Sequence, residues 1–290
     1  MTRMLRLIDG VLYEGKESSE LELVVRRLGN GHAEASGRRL VTWEELREAT
    51  PDELEVWKRD RADSEQERRE ANRKRAARRA TTRVRHLVKA SGMDALLTLT
   101  YRSLQPDLGL CKRHMKEFVR RMRRLIPGWG YVAAFEQQRR GSWHVHMAIR
   151  KLPMTLAASN GVKVKSYKVV RAVWRGVVGA DNGNVDESRR KAFSRRSGSR
   201  IANYISKYML KAFEAGDDWS NRYSSGGLDS PPPPERIRIG ENDWSDLIRR
   251  AYEAVCGLGC ETWTSLKRWT DDGPIQRFWI STEVTGVRHG

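Results

Sequence analysis

The chain has 290 residues, with 55 Lys+Arg against 37 Asp+Glu, a formal net charge of +18 and a pI near 10.2. That balance points to a polyanionic partner, nucleic acid ahead of an anionic membrane surface. Three cysteines are too few and too odd a number for a disulfide framework, and no apolar run approaches a membrane span, so a cytoplasmic protein with no membrane partner is expected.

Residues 1–57 read as a small N-terminal accessory element. It has short strands in "LRLIDGVLYEG" and "LELVVRRLG", then an acidic helix from Thr42 to Trp57. Residues 58–89 form a basic helical linker with 13 Lys/Arg and 5 Asp/Glu. Almost no apolar residue interrupts it, so it is expected to bury no face and to serve as a solvated tether or a sequence-blind grip on phosphates.

A compact unit is expected over residues 90–215. "DALLTLTY" is a buried strand whose Leu96, Thr98 and Thr100 share a face. "LCKRHMKEFVRRMRRLI" is an amphipathic helix with Leu110, Met115, Phe118, Met122 and Leu125 inward. "YVAAFEQQRRGSWHVHMAI" reads as two strands joined at Arg139, Arg140 and Gly141. "SYKVVRAVWRGVVG" is a second helix, "GNVDES" a short strand, and "SRIANYISKYMLKAF" a third helix with a serine cap at or near Ser199. Hairpin strands with helices between them predict an α+β fold, an antiparallel sheet with helices packed on one face. Residues 216–240, including "SSGGLDSPPPPERI", read as a Gly/Ser/Pro-rich linker. Residues 241–290 read as a C-terminal accessory segment with a helix from Trp244 to Val255 and a strand in "IQRFWIST". Its Cys256 and Cys260 form a lone C-x3-C pair, which suits ordinary buried thiols better than zinc.

The hairpin carries the first chemistry. A three-residue loop ending in Gly141 pairs Gln138 with Ser142, setting Glu136 opposite His144 and Ala134 opposite His146. His144 and His146 then share one face with Glu136, beside the small Val132, Ala134 and Ala148. Two imidazoles and a carboxylate at cross-strand spacing can hold a divalent cation. The alternative is a pair of hydrogen-bonded or half-exposed histidines.

The third helix carries the second. In "YISKYMLK", Tyr204, Tyr208 and Lys211 recur at helical spacing with Lys207 beside them. Adjacent cations favour the phenolate form, so a tyrosine here can act as a nucleophile. The alternative is two rings buried with their hydroxyls at the rim.

Together, "LLTLTY", "FEQQRRGSWHVHMAI" and "ANYISKYMLK" resemble the HUH endonucleases, specifically the two-tyrosine replication initiators of small single-stranded DNA phages and rolling-circle plasmids. The resemblance covers residues 94–213. It implies that Glu136, His144 and His146 bind Mg2+ or Mn2+, that Tyr204 is the nucleophile and Tyr208 the second tyrosine, and that Lys207 or Lys211 steadies the phosphate. The implied activity is nicking and strand transfer on single-stranded DNA at a replication origin, through a 5′-phosphotyrosine, with a host helicase and polymerase as candidate partners. A transposase or relaxase would use the same chemistry, and a non-catalytic nucleic-acid-binding protein is the alternative from another class.

Overall fold

The computed structural model of the chain describes residues 4–63, 65–157, 161–189, 198–214, 223–240, 243–256, 262–269 and 277–284. In chain order the elements begin β1 (Met4–Ile8), β2 (Val11–Gly29), β3 (His32–Glu48), α1 (Pro51–Asp63) and α2 (Glu65–Ala90). Next come β4 (Ala95–Tyr101), α3 (Leu108–Leu125), β5 (Tyr131–Gln137), β6 (Trp143–Ile149), β7 (Thr155–Ala157), β8 (Lys163–Lys165) and α4 (Ser166–Val178). The remainder are β9 (Gly183–Arg189), α5 (Gly198–Glu214), β10 (Tyr223–Gly226), β11 (Glu235–Ile239), α6 (Trp244–Val255), β12 (Thr262–Trp269) and β13 (Arg277–Val284). They divide into two compact units, Met1–Asn72 with Pro232–Gly290, and Arg73–Pro231.

In the first unit, the two ends of the chain form one sheet rather than two separate accessory segments. Its strand order is β1-β2-β3-β13-β12, and β11 pairs with the inner half of β2. Neither end has enough apolar surface to make a core by itself. Pairing β13 onto β3 lets α6 bury Leu247, Ala251 and Val255 against Leu21, Leu23, Val25, Phe278 and Ile280. Gly37 lies beneath that contact: a Cβ there would meet the Phe278 ring at 2.2 Å.

The helix expected from Thr42 begins only at Pro51. Residues 42–48 continue β3, where they pair with β2 and Lys16 reaches Glu44 at 2.6 Å. Thr50 and Glu53 then make a reciprocal capping box ahead of α1, with Thr50 N donating to Glu53 Oε2 at 2.9 Å and Glu53 N to Thr50 Oγ1 at 3.3 Å.

The second unit is an α+β structure. Its five strands run in the order β10-β5-β6-β4-β9, with every neighbouring pair antiparallel. On one face Leu97, Leu99, Phe135, Val145 and Met147 pack under α3 and α4. Within α3, Cys111 and Val119 turn inward with Met115, Phe118 and Met122, whereas Leu125 is half exposed and Leu110 stays outside the core. The other face carries Val132, Ala134 and Ala148 beneath Ile201, Ala202, Ile205 and Met209 of α5.

The last turns of α2 also cover this second face, which corrects the expectation of a tether that buries nothing. Val84, Leu87 and Val88 are buried in the same cluster, with Ala77 and Ala80 continuing their stripe. Alanine is small and the flanking arginines are many, so this apolar stripe is faint in composition although it keeps helical spacing. Residues 223–226 and 235–239, expected within a linker, form strands at the edges of the two sheets. Ser199 sits inside α5 with its buried Oγ unpartnered, so it does not cap the helix. Cys260 lies outside the described residues, and Cys256 is half-buried.

Candidate active site

The hairpin between β5 and β6 closes as its sequence predicts. Gln138 N donates to Ser142 O at 2.9 Å, and Gly141 N donates back to Gln138 O at 2.8 Å. Gly141 has φ +84°, a conformation glycine reaches without steric cost. Glu136 therefore pairs with His144 and Ala134 with His146. The same row continues across the sheet, from His146 to Thr98 on β4 and from Thr98 to Asp186 on β9. Sequence reasoning missed Thr98 and Asp186 as members of the site, although the shared face of Leu96, Thr98 and Thr100 already marks a polar position in a central strand.

His146 is held from both sides. Its Nε2 meets Glu136 Oε2 at 2.9 Å, and its Nδ1 meets the Thr98 hydroxyl at 3.3 Å. His144 is buried, and its Nε2 has no hydrogen-bond partner among the described residues. Burial first, then the nearby His146 and Arg140, pull its imidazole down to a pKa of about 4, so it is neutral at physiological pH with a lone pair free to donate.

Packing of α5 over β5 and β6 brings the tyrosines to these histidines. The Tyr208 ring stacks on the His146 imidazole, with centroids 3.9 Å apart and planes 18° apart. Tyr204 meets the same imidazole edge-on at 6.0 Å. The Tyr208 hydroxyl donates to the Tyr204 hydroxyl at 3.0 Å. Of the two, Tyr204 is the more open to solvent, at 37% exposed. Lys207 is exposed on the same helix, and the side chain of Lys211 lies outside the described residues.

Cations do not favour the phenolate here, contrary to the expectation from sequence. Burial first, then the Tyr208 hydroxyl and the carboxylates of Glu136 and Asp186, hold Tyr204 above the ordinary phenol range. Lys207 projects from the helix, whereas the sheet beneath it supplies carboxylates.

The donor set has the chemistry of a divalent-cation site, two imidazoles and one carboxylate on adjacent strands. The orphaned Nε2 of His144 and the Thr98 contact to His146 Nδ1, which leaves the His146 Nε2 lone pair for a metal, both fit that use. As it stands Glu136 is turned onto His146, so the two atoms that would face a cation face each other. Accordingly, among the described residues no three His, Cys, Asp or Glu side chains converge to hold a metal. A cation would have to displace the Glu136–His146 contact.

Residues 94–213 match the family model for the replication-associated proteins of the ORF2 type. The matched stretch runs from the start of β4 into the last turn of α5, so it contains every residue of this site. No curated protein and no solved structure matches the chain. The family match supports a role in DNA replication for the segment that carries the site. Among the described residues, no helix is long and apolar enough to cross a membrane.

Proposed function

We propose that the chain is a metal-dependent nickase and strand transferase, of the two-tyrosine HUH type, acting on single-stranded DNA at the origin to begin and end rolling-circle replication in the host cytoplasm. The observation that carries this reading is the meeting of Tyr204 and Tyr208 with His146 and Glu136, contributed by α5, β6 and β5.

Glu136, His144 and His146 would hold Mg2+ or Mn2+, which when bound supplies positive charge against the scissile phosphate. Tyr204 Oη forms a bond to phosphorus as the bond to the 3′-oxygen breaks, leaving a 5′-phosphotyrosine and a 3′-hydroxyl that a host polymerase extends behind a host helicase. Tyr204 is a neutral phenol at physiological pH, so its proton leaves during attack, and Asp186 is a carboxylate close enough to influence it. Since phosphodiester energy is kept in the phosphotyrosine, a DNA hydroxyl attacking it reseals the strand without a nucleotide cofactor. Tyr208, one helical turn away, takes the second cleavage when the circle is complete, and Lys207 and Lys211 steady the phosphate.

The test is incubation with single-stranded oligonucleotides from the chain's own replicon, with and without Mn2+ or Mg2+. Cleavage that needs metal and leaves DNA covalently on the protein is the expected result. Binding without cleavage under every metal condition would replace the nickase by a non-catalytic nucleic-acid-binding protein.

A further inference from the structure

The face of the second unit turned away from the tyrosines is covered by α3 and α4, and α4 packs in turn against the β7–β8 hairpin. Its charge is one-sided. Residues 137–180 contain nine Lys/Arg and no Asp or Glu, and α3 contains seven Lys/Arg and one acidic residue, Glu117. That carboxylate is already committed to Arg120 and Arg121, at 2.6 and 2.7 Å. Arg113, Lys116, Arg120 and Arg124 recur at helical spacing on the exposed side of α3. They span about 16 Å of helix axis, roughly five base-pair steps of duplex. On the adjoining hairpin and the start of α4, Lys163, Lys165 and Lys168 are exposed.

We propose that α3, α4 and the β7–β8 hairpin form a second DNA surface, for the phosphate backbone of duplex DNA, on the opposite side of the sheet from the single-strand cleavage site. A single-strand platform combines a basic groove with open aromatic faces. Here the exposed aromatic, Tyr167, has the Arg171 guanidinium over its ring at 5.7 Å. Lysines and arginines spaced along helices with no acidic neighbour instead suit sequence-independent contact with duplex phosphates. A protein so built holds unopened origin duplex on one side while its tyrosines act on a strand on the other. The inference rests on the DNA reading above but not on cleavage.

The experiment is fluorescence anisotropy with a labelled duplex, oligo(dT) and anionic phospholipid vesicles as separate probes. It is run without divalent metal, so that no cleavage step enters, and salt is varied from about 50 to 200 mM. Replacing Lys163, Lys165 and Lys168 together by Ala should make the duplex log–log salt slope shallower by roughly 2–3, about 0.9 for each phosphate no longer neutralised. A charge-matched variant with Lys16→Ala, Arg27→Ala and Lys58→Ala, at positions already paired with Glu44, Glu235 and Glu55, should leave the duplex slope nearly unchanged. Circular dichroism melting confirms that both variants fold. Equal weakening in the two variants, no weakening in the first, or a change confined to oligo(dT) or to vesicles would each overturn the duplex assignment. A wild-type protein that never nicks DNA would defeat the nickase proposal and leave this result standing.

Discussion

The imidazole of His146 lies flat against the ring of Tyr208, 3.9 Å between centroids, while Tyr204 approaches it by an edge at 6.0 Å. The two tyrosines are therefore not equivalent. Tyr208 is tied to the histidine by stacking, whereas Tyr204 keeps an exposed hydroxyl that can meet a phosphate. Tyr204→Phe should abolish or severely weaken the first nick. Tyr208→Phe, which keeps the stacked ring and loses only the hydroxyl, should spare that nick and impair strand transfer and circle release. Mass spectrometry of the trapped adduct checks the assignment, and a first-nick adduct on Tyr208 alone would reverse the roles.

Replacing both His144 and His146 with Ala should abolish metal-dependent cleavage while leaving salt-dependent binding to single-stranded DNA in place. Calorimetric titration with Mn2+ reads the site directly, and a binding isotherm like the wild type's would remove these residues from metal coordination.

Thr98 is expected to act on the metal only through His146. Thr98→Val keeps the side-chain volume but removes the hydroxyl that faces Nδ1 at 3.3 Å. Loss of such an outer partner typically weakens metal affinity about ten- to hundredfold. A matching fall in Mn2+ affinity, with the melting temperature little changed, is the expected outcome, and unaltered affinity would show that Glu136 alone orients the ring.

The end of α2 is core. Leu87 is 4% exposed among Val84, Val88 and residues of α5, so Leu87→Ala should destabilise the second unit by about 2–5 kcal/mol in urea unfolding. A solvated tether would show a change near zero.

Alkaline pH should loosen the same unit through its other core. Burial pushes the Cys111 thiol up to about 11, and the thiol packs among Met115, Phe118 and Tyr101. Because the folded value is above that of the unfolded chain, the contribution to stability is complete below about pH 8.5 and is lost as pH rises towards 11. The urea midpoint should fall across that window, and Cys111→Ala should flatten the fall. Iodoacetamide should leave Cys111 unmodified at about pH 8 until the protein unfolds.

The hairpin register, the shared face of Glu136, His144 and His146, and the common face of Tyr204 and Tyr208 were all legible in the sequence. Each follows from a local period, two along a strand and near 3.6 along a helix, with Gly141 fixing where the hairpin turns. The antiparallel α+β character was legible for the same reason, since each helix lies between strands close in sequence. Pairings between distant segments were not. Nothing local marks β13 as the partner of β3, more than two hundred residues away, so the two ends of the chain read as separate pieces until their strands met in one sheet. Nor could sequence reveal that Tyr204 sits over carboxylates instead of beneath lysines, that Glu136 turns onto His146, or that a few Ala and Val positions in an arginine-rich helix close the core beside the site. Periodicity determines which side chains share a face of one element. Only packing between elements decides what that face meets, and hence the charge state and hydrogen-bond partners on which the chemistry depends.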